Sequence, residues 1–229
     1  MPNKLILKPD TKKWYPNSIS SLESHLSILI RENSYFTRSE STGIRKNIAY
    51  SFQYIEFLHR IMEDVNLSEV LYTQNIKSFV VHGAAIIEAI CNFLVISKGF
   101  GNKSNWKITT TNESNEYIID SKKYKNKTEV CEKLESDIPI QMTFDQLTKK
   151  VEKKKLLGNS FPIYQKIKPL RQLRNKIHIH DSEHSSDTDW YNFNHKEYVL
   201  VREVLLEVLT SETFISSGYI ESFDFLKNS

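Results

Sequence analysis

The sequence predicts an all-α helical bundle with a small irregular or hairpin insertion. Three observations carry that expectation. Gly and Pro number only six each in 229 residues, too few breakers for a many-turned β sandwich. Hydrophobic residues make up 39% and charged residues 26%, ordinary proportions for a globular chain with its own core. Several long stretches carry apolar residues at helical spacing.

Taken in order, Pro2, Pro9 and Pro16 break up an irregular or strand-like lead-in over residues 1–18. A helix is expected around Ser20–Ile30 on Leu22, Leu26 and Leu29, with capping chemistry near Ser21. Residues 43–66 form the next, on Ile44, Ile48, Phe52, Ile55 and Leu58. The main core helix is expected from Ser68 to Ser97, where Ile76, Phe79, Val80, Ala84, Ile87, Ile90, Cys91 and Leu94 share a face. Gly83-Ala84-Ala85 would let a neighbour come close there, and Gly99 and Gly101 would end the helix. Trp106–Asp120 reads as a small hairpin or ordered loop, and Thr128–Leu134 as a helix. Thr143 and Gln146 spell a capping box for a helix reaching Leu157. Another helix spans Pro162–Ile179, and a last one His195–Leu209. The expected organisation is residues 1–66 as N-terminal lead-in and helices packing on the core, and 67–229 as a helical domain with its insertion near 102–127.

Composition narrows the function classes. Two cysteines, Cys91 and Cys131, make neither a disulfide framework nor a cysteine zinc site. Leu5-Ile6-Leu7 is too short an apolar run for a signal peptide, and no uninterrupted span of about 20 apolar residues occurs. The expected setting is cytoplasmic, with no membrane. GxxxxGK[ST], GxGxxG and GxSxG are all absent, so nucleotide-hydrolase and hydrolase-elbow chemistry lack support. The net charge is only +3, but eight Lys or Arg and no Asp or Glu lie between Lys153 and His180. Such a block suits a polyanion, or else a solvated basic face without a partner.

Within that block, RQLRNKIHIHD (Arg171–Asp181) stands out. Ile163, Ile167, Leu170, Leu173 and Ile177 form an apolar stripe. With Leu170 at zero and about 100° per residue, Arg174 falls near 40°, His178 near 80°, Arg171 near 100° and Asn175 near 140°. His180 falls on the opposite flank, near 280°. A histidine beside two arginines can move protons near neutral pH while an arginine holds a phosphate. That combination suits metal-independent RNA cleavage, with 2′-OH attack on the adjacent phosphate. The competing reading is structural: Arg174 in an ion pair, Asn175 as a cap, His178 packed in the core. Glu88, on the flank of the core helix, is a candidate support for Arg174 or His178, or an ordinary flank salt bridge. His178, His180, Asp181 and His184 lack a recognisable metal-ligand spacing, so no metal and no other cofactor is expected. Trp106, Tyr117 and Tyr124 either stack bases or simply pack.

The Arg174-Asn175 pair followed by His180, five residues on, resembles the signature of the HEPN superfamily; His178 is the closer helical neighbour but sits at shorter spacing. The stretch IIEAICNFLV, the basic LRQLRNKIH helix and a final amphipathic helix add to the likeness, which covers about Ser68–Leu209. The resemblance implies an HEPN-like bundle that forms a homodimer with the motifs of two chains facing each other. It also implies either a ribonuclease of the toxin or anti-phage defence type or a non-catalytic interaction or nucleic-acid-binding module. On this reading Arg174, His178, His180 and Asn175 are catalytic, and Arg171, Lys168, Lys166 and Lys176 bind RNA. Glu88 supports them, and the partners are RNA and an antitoxin or other protein.

Overall fold

The computed structural model describes residues 16–176, 188–214 and 221–227. Among these, 58% are helical and 18% lie in strands or bridges, so the protein is mixed α/β and the all-α expectation is overturned. By contacts the chain forms two compact units. One holds the described residues up to Phe100 and from Thr143 onward, and the other is Gly101–Met142.

The larger unit is helical. It contains α1 (Ile19–Leu26), α2 (Arg38–Asp64), α3 (Glu69–Ser97), α4 (Phe144–Lys153), α5 (Phe161–Asn175), α6 (Asp189–Asn192) and α7 (His195–Leu209), then a 3-10 turn at Glu221–Leu226. Local chemistry sets most of the starts. Thr37 and Glu40 close a capping box on α2, five residues before the expected start. Thr143 with Gln146 and Asn194 with Glu197 do the same for α4 and α7. Ser18, rather than Ser21, caps α1 by accepting the Ser21 N–H at 3.1 Å. Gly99 (φ 77°) and Gly158 (φ 96°) end α3 and the segment after α4 in the left-handed region. α5 is described to Asn175, and the last residues of the expected helix, Ile177–Ile179, lie outside the described residues.

α3 is the axis of the unit, with α2, α4, α5, α6 and α7 packed around it. Phe79, Ile76, Ile87, Ile90, Cys91 and Val95 on α3 are fully buried, as are Phe52 and Ile55 on α2 and Val201, Val204 and Leu205 on α7. α3 is also long and apolar enough to match a membrane span by composition, yet 61% of that stretch is buried inside the unit. Burial on this scale is what drives assembly of such helices, at roughly 25 cal/mol per Å² of apolar surface. The crossing of α3 and α7 depends on Gly83. A Cβ there would lie 2.3 Å from Val201 Cγ1, a stiff β-branched side chain. We expect Gly83→Ala to destabilise the protein by about 1–2 kcal/mol, overpacking outweighing the gain in helix propensity. Thermal denaturation checks this: Val201→Ala should recover part of the loss in the double variant, and additivity of the two changes would refute the contact.

The smaller unit corrects two element assignments. β1 (Asn102–Glu113) pairs antiparallel with β4 (Lys127–Ile140), so Thr128–Leu134 is strand and not helix, and the β segment runs well past residue 127. At its tip, β2 (Tyr117–Ile119) pairs with β3 (Lys122–Tyr124) through Asp120 and Ser121, both at positive φ (48° and 62°), as a tight hairpin turn demands. Val130 and Leu134 sit four apart in a Glu- and Lys-rich stretch, which mimics a helix. Thr128, Val130, Ile138 and Ile140 supply the alternation that a partner strand 16 to 38 residues upstream turns into a ladder.

Candidate functional site

α5 carries the basic motif and is anchored on its apolar side by Ile163, Tyr164, Ile167 and Leu170, all buried. The Tyr164 hydroxyl accepts the Leu157 N–H (3.2 Å) and donates to the Gly158 carbonyl (2.6 Å), tying the helix to the segment before it. Pro169 sits inside α5 without breaking it, and its missing N–H costs one helical bond.

The cations along α5 meet carboxylates of its neighbours. Lys166 pairs with Glu203 (3.3 Å) and Glu207 of α7, and the hydrogen bond to Glu207 raises the lysine's pKa. Lys168 pairs with Glu152 of α4 at 3.2 Å. Arg171 pairs with Asp145 of α4, whose carboxyl is held below its usual range first by Lys149 and then by Arg171. Arg174 Nε lies 3.2 Å from Glu88 Oε2 of α3. Lys176 Nζ reaches Asn192 Oδ1 of α6 at 2.5 Å. Four cations of the basic block, Lys166, Lys168, Arg171 and Arg174, are thus met by acids distant in sequence. These half-exposed pairs are each worth about 0–1 kcal/mol and leave the cations able to exchange partners.

Arg174 is 44% exposed at its side chain against 22% for Glu88, so the guanidinium faces solvent while its anchor is mostly covered. Asn175 is exposed at the last turn. His178, His180, Asp181 and His184 lie outside the described residues. So do Ile177 and the end of the apolar stripe. Among the described residues, no three His, Cys, Asp or Glu side chains gather to hold a metal ion.

Two features escaped the sequence reading. The first is a cleft of about 460 Å³ between the start of α3 and the α6–α7 corner, walled by Tyr72, Ile76, Trp190, Tyr191, Phe193 and His195. Trp190 and Tyr191 stand 50% and 69% exposed. Asp189 fixes α6 to α3 through Gln74 (2.8 Å) and Lys77 (2.9 Å). Lys176, bonded to Asn192, links the end of α5 to this corner. The signal was present as Trp-Tyr-x-Phe at 190–193, but only the fold sets it against Tyr72. The second is a buried polar network between α2 and α7. His59 Nδ1 meets the Tyr198 hydroxyl, His59 Nε2 lies 3.2 Å from Glu63, and the Arg202 guanidinium sits over the Tyr198 ring at 5.2 Å. Burial, then Arg202 and Arg60, push the His59 pKa down to about 4; burial pushes Tyr198 up to about 12. A neutral His59 with its proton on Nε2 donates to Glu63 and accepts from Tyr198, which satisfies both ring nitrogens.

Trp106, Tyr117 and Tyr124 belong to the β unit. Tyr117 and Tyr124 stack on each other with centroids 6.1 Å apart, and Tyr117 donates to Asn126 at 2.6 Å. Trp106 is 53% exposed.

No family model matches the chain, and neither a curated protein sequence nor a solved structure aligns with it.

Proposed function

We propose that this protein is a cytoplasmic, metal-independent endoribonuclease of the toxin or anti-phage defence type, similar to HEPN ribonucleases and working as a homodimer. The observation that carries the reading is the pose of Arg174. Glu88 holds it by one edge at 3.2 Å, and its solvent-facing side is left for a phosphate. Asn175 follows it, and His178 and His180 come within six residues. In the proposed reaction a histidine takes the proton from a ribose 2′-OH, whose oxygen attacks the neighbouring phosphorus. The bond to the 5′-oxygen breaks, a protonated group returns a proton to that leaving oxygen, and Arg174 stabilises the charge on the phosphorane.

A second reading, a non-catalytic helical interaction or nucleic-acid-binding module that contacts an antitoxin or other protein, draws on a specific observation. Lys166, Lys168 and Arg171 are already engaged by Glu207, Glu152 and Asp145.

Purified protein incubated with a mixed RNA pool and chelator should generate 2′,3′-cyclic phosphate ends. One of His178→Ala and His180→Ala should abolish them and the other leave them largely intact. If the wild-type protein leaves the pool uncut and its expression is harmless to the host, the interaction-module reading stands instead.

A further inference from the structure

The β1–β4 ribbon has an unusual exposure. Among the described residues β4 pairs only with β1, so its outer edge presents unpaired backbone N–H and C=O groups. A two-stranded ribbon by itself is marginally stable, and natural edges of this length are ordinarily covered or blunted. Residues 127–133 are all exposed, and so are Trp106 (53%), Ile108 (54%) and Val130 (48%).

The sequence of that edge is self-complementary. Lys127, Glu129, Cys131 and Lys133 alternate onto one face of β4. Laid antiparallel on a copy of itself about Cys131, the strand sets Glu129 of each copy against Lys133 of the other. It sets Cys131 against Cys131, and on the opposite face Val130 against Glu132. No like charges meet, and the segment from Lys127 to Lys133 carries two bases and two acids. Further out, Lys127 of one copy is directed toward Glu135 of the other, where β4 bulges between its pairings at Lys133 and Ile138. The outer edge of β1 offers less. Pairing it about Ile108 sets Lys107 against Thr109 and Trp106 against Thr110, and its charge pair, Lys103 with Glu113, lies far from the axis, beyond the register shifts at Ser104/Trp106 and Ile108/Thr110.

We propose that the outer edge of β4 is the docking surface for a second copy of this chain, the two ribbons joining as a four-stranded antiparallel sheet β1-β4-β4-β1 with its two-fold axis at Cys131. Two Glu129–Lys133 pairs flank the axis. Within each ribbon Trp106 opposes Lys133 and Ile108 opposes Cys131, so the sheet sets both copies' Trp106 and Ile108 on one face, the two Ile108 in a row with the paired Cys131. Each cross-strand charge pair favours this register and disfavours a slipped one. The inference rests on the homodimeric part of the proposed reading and is independent of its ribonuclease chemistry.

Directly opposed antiparallel residues have Cα atoms about 4.5–5.5 Å apart, inside the range a disulfide can bridge. Cys131 therefore reports the register. Treatment of the full-length protein with diamide, which takes up the two protons and two electrons, should yield a disulfide-linked dimer on a non-reducing gel. Cys131→Ser should abolish it, and Cys91, fully buried, cannot substitute. Lys133→Glu should cut cross-linking at least tenfold by setting glutamates against glutamates, and Glu129→Lys should do the same with lysines. The double variant Glu129→Lys/Lys133→Glu should restore it to within about twofold of wild type. Inside the ribbon these positions face Thr111 and Trp106, both uncharged, so within each copy the exchange costs only the exposed Lys127–Glu129 pair of β4 (3.3 Å). Cross-linking indifferent to the single reversals, or not restored by the exchange, overturns the proposal. A sedimenting dimer that persists unchanged through Lys133→Glu would place the interface on another face, overturning this surface while leaving a dimeric ribonuclease intact.

Discussion

Replacing Arg174 by alanine should lower RNA cleavage by roughly 10²–10³, the usual cost of removing one preorganised donor from a developing oxyanion. The effect should fall on kcat more than on KM, because the guanidinium matters most where charge accumulates in the transition state. RNA binding should weaken far less. Lys153, Lys154, Lys155, Lys166, Lys168 and Arg171 still supply positive charge, and the residual binding should keep a steep salt dependence. Stability should change by no more than about 1 kcal/mol, since the lost pair with Glu88 is close to half exposed on the arginine side. Arg174→Lys should recover only part of the rate, because a point charge cannot both stay on Glu88 and grip a phosphate through two nitrogens. Single-turnover kinetics with an end-labelled RNA, alongside a denaturation curve for each variant, separates the outcomes. Unaltered cleavage in Arg174→Ala refutes the assignment, and unfolding of that variant makes Arg174 a structural residue.

Acidification should destabilise the protein through His59. The folded-state pKa is about 4 against the ordinary 6.5, so the folded protein holds this imidazole neutral where the unfolded chain protonates it. The contribution is complete above pH 6.5, declines as pH falls through the window from 6.5 to 4, and amounts to about 3 kcal/mol at about 1.36 kcal/mol per pKa unit. Four titratable groups face the ring, Arg60 and Glu63 from α2 and Tyr198 and Arg202 from α7, beside the apolar ring of Phe225. Of these, Glu63 alone would welcome the extra proton. Its side chain is 41% exposed, too open to offset the cost of burying an imidazolium beside Arg202. Urea midpoints measured between pH 7.5 and 4.5 should fall steeply for wild type. His59→Gln should start less stable, having lost the Tyr198 bond, and show a flatter profile across the same window. An equal slope for the two proteins would assign the acid sensitivity to other groups.

What could be read from residues alone is what neighbouring residues decide. The Thr143–Gln146 capping box and the span His195–Leu209 follow from side chains three to fifteen positions apart. The apolar face of Ser68–Ser97 is continuous enough to announce a core helix before any partner is known. The arginine-rich stretch was visible for the same reason, since its residues share one short segment. Where distant segments compete for a residue, the tertiary structure decided. Lys127–Ile140 has a composition compatible with helix or strand, and pairing with Asn102–Glu113 settles it. The charge of α5 looked unopposed because its counterions, Glu88, Asp145, Glu152 and Glu207, lie 16 to 86 positions away and reach it only through helix packing. Trp190 gained a cleft only when Tyr72 came to face it, and His59 became a buried neutral base only when α7 covered it. Local periodicity encodes which face of an element is apolar. Which element meets that face, and therefore which charges are neutralised, which edges stay open and which titratable groups are buried, depends on contacts that no short window of sequence contains.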